Sequence, residues 1–567
     1  LCVRLSVRGK FSVLMSVIQP LSQQCQGVFT HASIRWRPRS EPRARINTHH
    51  IRLLELAVHR PAMEPNLAAA LLRRAELSPA RIALIFEGQE TAYSEFGERV
   101  RRLASLLKAG GVCFGDRVGY LGFNHPVLLE TMFAVQALGA IFVPLNYRLT
   151  AQELTFIIND AGMHTLVVDD TARPVIEPAL GELCCKQFFT SESVADGWRH
   201  LPTERMGAEP LADAVSVDMH DVALIMYTSG TTGLPKGAML THGNILWNNI
   251  NSMLAFGCSG DDVVLTAAPL FHIGGLNVMT MTALHMGSTV VLLRNFDPGQ
   301  VLADFERYQV SHMFGAPAMF LFISQHPSFD TTDLGSIRVL LCGAAPVPES
   351  LIELYGARGI DFCQGYGLTE TAPFAAFLTP EWTIRKLGSA GQPPMYTETR
   401  VVDENNQPVA AGVRGEVCLR GPNIMKGYWN LPEATAAAID GEGWFHSGDV
   451  GYFDEDGFLF ICDRLKDVVI SGGENVYPAE VEGALYKHES IAEVAVIGLP
   501  DEQWGEAVTA VVALHQGHEL TLEELRSFAD SMLARYKLPL RMHLVDALPR
   551  NPAGKVLKFV LKEQLQQ

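Results

Sequence analysis

Along Phe96–Lys108 apolar side chains recur at Val100, Leu103, Leu106 and Leu107, a three-and-four spacing that places them on one face of a helix. The next apolar run, Arg117–Gly122, has strand length. The alternation then repeats, with a helix predicted over Leu128–Leu138 and a strand over Ile141–Leu145. Further apolar runs of strand length lie at Ala223–Tyr227, Val263–Ala267, Thr289–Leu293 and Arg338–Cys342, and helices at Asn244–Ala255 and Val301–Tyr308 fall among them. Continuous apolar strands alternating with helices predict an α/β fold with layered, largely parallel sheets buried on both faces. Upstream, Asn66–Glu76 is amphipathic.

The pattern changes near Asp463. Strands are predicted at Val468–Ile470, Ala492–Ile497 and Val508–Leu514, and helices at Pro478–His488 and Leu522–Leu533. That makes a small α+β unit of about 100 residues. The expected organisation is therefore a large domain over 63–462, a charged hinge at 463–467 (Asp-Arg-Leu-Lys-Asp) and a small C-terminal domain over 468–567. A chain of 567 residues is too long for one ordinary core, which agrees with this division.

Charge alters the picture at the N-terminus. Residues 1–62 carry ten basic and two acidic side chains, leaving 35 basic and 60 acidic in the remainder. This stretch is expected to lie outside the fold, as sequence upstream of Met63 or as an Arg-rich organelle presequence; a secretory signal fits less well. The formal charge of −17 gives no basic stripe for nucleic acid. Ten cysteines include no Cys-x-x-Cys pair, so reduced thiols are expected rather than a zinc or disulfide framework. No apolar run reaches the length of a membrane span. A cytoplasmic location is expected, with peripheral membrane contact left open, and a mitochondrial one only if residues 1–62 are a genuine presequence.

The strongest chemical signal follows the apolar strand ending at Met226: Tyr227-Thr228-Ser229-Gly230-Thr231-Thr232-Gly233-Leu-Pro-Lys236-Gly237. Glycines let backbone N–H groups turn toward an anion, hydroxyls add donors, and Lys236 adds a charge; together they form a phosphate cradle. Gly237 follows the lysine where a Walker loop needs Ser or Thr for magnesium, so this is a different device, expected to lead into a helix.

That loop resembles the signature of the adenylate-forming superfamily, which comprises acyl-CoA synthetases, firefly-type luciferases and adenylation domains of peptide synthetases. The resemblance runs from about residue 66 to the C-terminus. The C-terminal half is most similar to bacterial medium- and long-chain fatty-acid–CoA ligases. It implies ATP, Mg²⁺ and coenzyme A as cosubstrates and cofactors, and roles for individual residues. Gly343-Ala344-Ala345-Pro346 would flank the adenine. Within Gln364-Gly-Tyr-Gly-Leu-Thr-Glu-Thr371, Tyr366 would stack on adenine beside Gly367, Thr369 would contact phosphate, and Glu370, with Thr228, would hold Mg²⁺. Asp449 of Ser447-Gly448-Asp449 would accept from the ribose hydroxyls, and Arg464 would reach the same sugar. Lys466 would be the pivot. Lys555, in Leu548-Pro-Arg-Asn-Pro-Ala-Gly-Lys555, would bridge the acid's carboxylate and the α-phosphate. Gly472 and Gly473 would line a pantetheine channel. His272, which also has a catalytic place by resemblance, would line the acyl pocket with Gly315, Ala316, Pro317, Ala344 and Gly367.

An AMP-forming acid–thiol ligase is thus expected. The pocket segment Ala268-Pro-Leu-Phe-His-Ile-Gly-Gly275 holds no carboxylate to pair with an amino-acid ammonium, which argues against a carrier-protein-loading adenylation domain. Nothing supports a luciferase-type oxygenase, and the intact Lys555, Glu370, Asp449 and Lys236 argue against an inactive scaffold. The mostly small, apolar pocket residues put a medium- or long-chain fatty acid first and an aryl acid, such as a coumarate or benzoate, second.

Overall fold

The computed structural model describes residues 66–228, 234–345, 347–472, 474–530, 532–550 and 556–566. The chain divides into two compact units, Leu1–Met63, which lies outside the described residues, and Glu64–Gln567.

Two eight-stranded sheets form the bulk of the larger unit. In one, the strands Phe362–Gly367, Val339–Cys342, His312–Gly315, Val263–Thr266, Thr289–Leu292 and Ile82–Phe86 run parallel, and Phe374–Leu378 and Gln89–Ala92 close the two edges antiparallel. In the other, Arg117–Leu121, Ile141–Leu145, Met163–Val168 and Val222–Thr228 pair in parallel. Lys236–Thr241 and Gly427–Tyr428 extend that sheet antiparallel beyond Val222–Thr228. Val/Ile/Leu-rich strands buried on both faces need helices on each side, and Pro126–Ala137 meets that need with every one of its twelve residues buried.

A four-stranded antiparallel sheet follows: Glu398–Val402, Gly415–Arg420, Phe445–Phe453 and Leu459–Arg464. The C-terminal residues build a five-stranded sheet around the long pair Ile491–Asp501 and Gly505–Leu514, with its own apolar core beneath the helices Pro478–Leu485 and Leu522–Ala529. No described helix is long and apolar enough to cross a membrane.

One local expectation is corrected. The segment after the Gly/Thr-rich loop is a strand, Lys236–Thr241, which pairs antiparallel with Val222–Thr228, Thr228 opposite Lys236 and Tyr227 opposite Gly237. The helix begins only at His242, where Thr241 and Asn244 form a reciprocal capping box, and it ends at left-handed Gly257. The six residues Lys236–Thr241 are long enough to pair with Val222–Thr228, and that ladder satisfies backbone groups a helix would otherwise have taken.

Candidate active site

The antiparallel pair brings Thr228 and Lys236 side by side next to the connecting loop, and the Thr228 hydroxyl donates to the Lys236 carbonyl at 3.4 Å. Ser229, Gly230, Thr231, Thr232 and Gly233 lie outside the described residues. Tyr227 Oη donates to Asp160 at 2.6 Å; burial first, and then this carboxylate, push its phenol upward. Lys236 Nζ sits 5.3 Å above the Tyr428 ring, and Tyr428 Oη donates to Glu370 Oε1 at 2.8 Å. A cation, an aromatic face and a carboxylate thus stand in line. Burial, and then Glu370, hold the Tyr428 phenol protonated.

Glu370 lies in the short 3₁₀ turn Thr369–Thr371, just beyond the strand Phe362–Gly367. Close approach explains Gly367: a Cβ there would collide with the Pro373 carbonyl oxygen. From the same strand Tyr366 reaches the four-stranded sheet, donating from Oη to Asp449 Oδ2 at 2.5 Å. Arg464, paired across the ladder with Asp449, donates from Nε to Oδ1 at 2.6 Å. Burial works against the Arg464 charge, but Asp449, Tyr366 and Glu370 outweigh it and raise its pKa. Tyr366 is shifted far up by burial and by Asp449. Tyr366 and Arg464 are crowded by protein yet retain exposed surface, as side chains lining a concavity do. The structure therefore joins Lys236, Glu370, Tyr366, Asp449 and Arg464 in one charged site drawn from three sheets.

Gly343, Ala344 and Ala345 follow the strand Val339–Cys342. A Cβ on Gly343 would lie 2.8 Å from the Gly365 carbonyl oxygen, so this loop runs close beside the Tyr366 strand. Ala344 holds a left-handed φ of +71°, a strained value for a residue with a Cβ. Phe314 is the wedge between this loop and the His272 segment: its ring would meet a Cβ on Gly274 at 2.7 Å and one on Gly343 at 3.4 Å. Next to it, Gly315 ends the strand His312–Gly315, and Ala316 and Pro317 start the helix Pro317–Gln325.

His272 Nδ1 accepts the Gly274 N–H at 3.1 Å, and burial lowers its pKa, so the ring is neutral with its proton on Nε2. The wide-turn helix Gly274–Thr280 follows, a geometry that recurs at functional sites. Asn124 braces the turn before it: Nδ2 donates to Ala268 and Leu293 carbonyls, and Oδ1 accepts from Leu270. Phe271 packs edge-on to Tyr147 at 5.4 Å, Tyr147 lies 4.1 Å from Phe123, and Arg148 covers both Tyr147 and Phe271. The His272 environment is thus richer in rings than the small residues singled out in the sequence imply.

Lys466 occupies the 3₁₀ turn Leu465–Asp467. Gly472 lies against the Trp504 ring and donates to the Trp504 carbonyl at 2.7 Å. Gly473 and Lys555 lie outside the described residues. Sequence reasoning missed Tyr428, Asp160 and Phe314. Only Tyr428 has a local signal, an aromatic pair after Gly427; the other two act through contacts between distant segments.

Residues 71–429 match the family described as AMP-binding enzyme, and residues 480–555 match the AMP-binding enzyme C-terminal domain. A feruloyl-CoA synthase of an Amycolatopsis species is 44% identical over 488 residues, 86% of this chain and 96% of that protein. The long-chain-fatty-acid–CoA ligase FadD13 of Mycobacterium tuberculosis is 37% identical, covering 88% of this chain and 98% of its own. The o-succinylbenzoate coenzyme A synthetase MenE of Bacillus subtilis, solved with ATP and magnesium ion, superposes with a TM-score of 0.78 at 34% identity over 88% of this chain and 99% of that one.

Proposed function

Since the chain belongs to the family of AMP-binding enzymes and is an ATP-dependent acid–CoA ligase using Mg²⁺, we propose that the acid it activates is aromatic. The observation that carries this choice is the order of similarity: a feruloyl-CoA synthase stands at 44% identity and a fatty-acid ligase at 37%, over nearly the same span. The rings of Phe123, Tyr147, Phe271 and Phe314 around the His272 segment support it, since edge-to-face partners add about 0.5–1.5 kcal/mol beyond buried area. The fatty acid ranked first on sequence becomes the second reading.

A carboxylate resists nucleophiles because of its charge and its poor leaving group. In the first displacement its oxygen attacks the α-phosphorus of ATP, and the bond to pyrophosphate breaks. In the second, the coenzyme A thiolate attacks the carbonyl carbon and AMP departs with the electron pair. In this reading the hairpin backbone, Thr228 and Lys236 hold the phosphates, and Tyr366 offers its ring to the adenine. Asp449 accepts from the ribose hydroxyls, its carboxylate held by Tyr366 and Arg464. Glu370 and Thr228 present the oxygen donors a hard cation prefers, and Mg²⁺ there would neutralise phosphate charge. Lys555 would meet the negative charge that builds during the first step, then withdraw as the domain 468–567 turns about Lys466 and brings Gly472 and Gly473 forward for the thiol.

The test is a panel of acids from acetate to palmitate with ferulate, coumarate and benzoate, scored by coenzyme A-dependent AMP release. The highest kcat/KM is expected for an aryl acid. Fastest turnover of a saturated fatty acid would reject the aromatic assignment and leave the ligase class intact.

A further inference from the structure

Toward the strand Gly415–Arg420, Asp449 does not stand in a regular ladder. Glu416 pairs with Val450 and Cys418 with His446, so two residues of advance on the strand Gly415–Arg420 correspond to four on Phe445–Phe453. The surplus falls at Ser447, Gly448 and Asp449, which bulge from that ladder while Asp449 keeps its pairing with Arg464 on the other side; Gly448 adopts a φ of +68°. Bulges aim side chains, but they also strip backbone groups of their ladder partners.

Two side chains restore those partners. Ser447 Oγ donates to the Val417 carbonyl at 2.6 Å and accepts the Asp449 N–H at 3.0 Å. The Glu416 carboxylate spans the bulge: Oε1 accepts the Gly448 N–H at 3.1 Å, and Oε2 accepts His446 Nδ1–H at 2.8 Å. On its far side His446 Nε2 lies 3.7 Å from Asp440, whose Oδ1 accepts the backbone N–H groups of Glu442 and Trp444. Glu416 thus grips the chain on both sides of Ser447, immediately ahead of Asp449.

Glu416, Cys418 and His446 are also donors of the kind that hold a thiophilic cation, with Cys418 Sγ 3.4 Å from His446 Nδ1. The carboxylate, however, already accepts two N–H groups, and burial pushes the Cys418 thiol up to about 12. The arrangement is a hydrogen-bonded brace.

We propose that Glu416, held by His446, is a positioning residue for the nucleotide: it locks the bulge so that Asp449 faces Tyr366 and Arg464, and thereby sets how strongly the enzyme selects for ribose hydroxyls. This rests on the reading of Asp449 as the ribose carboxylate. Glu416 itself touches no reacting atom.

The experiment measures acid-dependent ATP–pyrophosphate exchange with ATP and with 3′-deoxy-ATP and 2′-deoxy-ATP, in wild type, Glu416→Gln, Glu416→Ala, Asp449→Asn and the Glu416→Ala/Asp449→Asn double variant. Loss of a charge-assisted brace predicts about a tenfold rise in KM for ATP in Glu416→Ala and a similar shrinkage of the preference for ATP over the deoxynucleotides. The KM for the acid should stay unchanged, Glu416→Gln should fall between, and the double variant should show no less preference than Asp449→Asn alone. If Asp449→Asn collapses the preference while both Glu416 variants keep the wild-type ratio, the positioning role is overturned. If Asp449→Asn itself keeps the ratio, the ribose reading fails, and the brace fails with it. Glu416→Gln, which retains an acceptor for Gly448, supplies the ratio should Glu416→Ala not fold.

Discussion

Asp449 is nearly buried, and a carboxylate in that position is tolerated because Arg464 and Tyr366 take one oxygen each. The same logic governs buried histidines that have no part in the chemistry. His242 opens its helix with Nδ1 accepting the Leu67 N–H at 3.3 Å, which a doubly protonated ring cannot do, and burial lowers its pKa from 6.5 to about 4. The unfolded chain therefore takes up a proton as pH falls below about 6.5, whereas the folded chain resists until about 4. Stability from this residue is complete above the upper value and lost across that window. The difference corresponds to about 3 kcal/mol. Urea denaturation at pH 7.5 and pH 4.5 should show His242→Asn losing clearly less stability on acidification than wild type; equal losses would contradict the assignment. Sequence reasoning pointed to Asp449 and Arg464 because they sit in recognisable motifs. Tyr428, which links Lys236 to Glu370, was marked in the sequence only by the aromatic pair after Gly427, because its contacts exist only once Gly427–Tyr428 pairs with the strand Lys236–Thr241.

At the scale of elements, two glycines of the site are required for different reasons. Gly367 is pressed against the Pro373 carbonyl, so Gly367→Ala must displace backbone and should cost about 3 kcal/mol or more. Gly448 has open space where a Cβ would go but a left-handed φ, so Gly448→Ala should cost only about 1–2 kcal/mol of strain. Urea midpoints compare the two directly, and a larger loss in Gly448→Ala would overturn this ordering. Strands buried on both faces were legible from their apolar runs: Ile141–Leu145 was expected with the bounds observed, and Arg117–Leu121 and Thr289–Leu292 differ from expectation by one residue. The hairpin after Tyr227 was not. Lys236–Thr241 is short, and only its partner strand decides between ladder and helix. The bulge at Ser447–Asp449 was equally hidden, because register is a property of two strands together.

At the scale of the whole molecule, the helix Pro478–Leu485 of the C-terminal elements meets the hinge and the edge of the four-stranded sheet through polar contacts. Asp463 Oδ2 accepts the Ala479 N–H at 2.6 Å at the start of the helix Pro478–Leu485, and Arg414 reaches Glu480 at 3.3 Å. Exposed pairs such as Arg414–Glu480 contribute little each, which suits a domain proposed to turn between two half-reactions. Motif order along the chain pointed to the activity, since the Gly/Thr-rich loop before Lys236, the Tyr366 segment, the Asp449 motif and the Lys555 loop follow one another in sequence. The acid was not legible in that order. The proposed aromatic acid rests in part on rings from separate segments, Phe123, Tyr147 and Phe271, whose convergence only the fold reveals. The central claim, that this site activates an acid by adenylation before any thiol takes part, is tested most directly by ATP–pyrophosphate exchange without coenzyme A. With ferulate or coumarate present, exchange is expected in wild type and a loss on the order of 10²–10³ in Lys555→Ala. Exchange that needs no acid, or that Lys555→Ala leaves unchanged, would contradict the account.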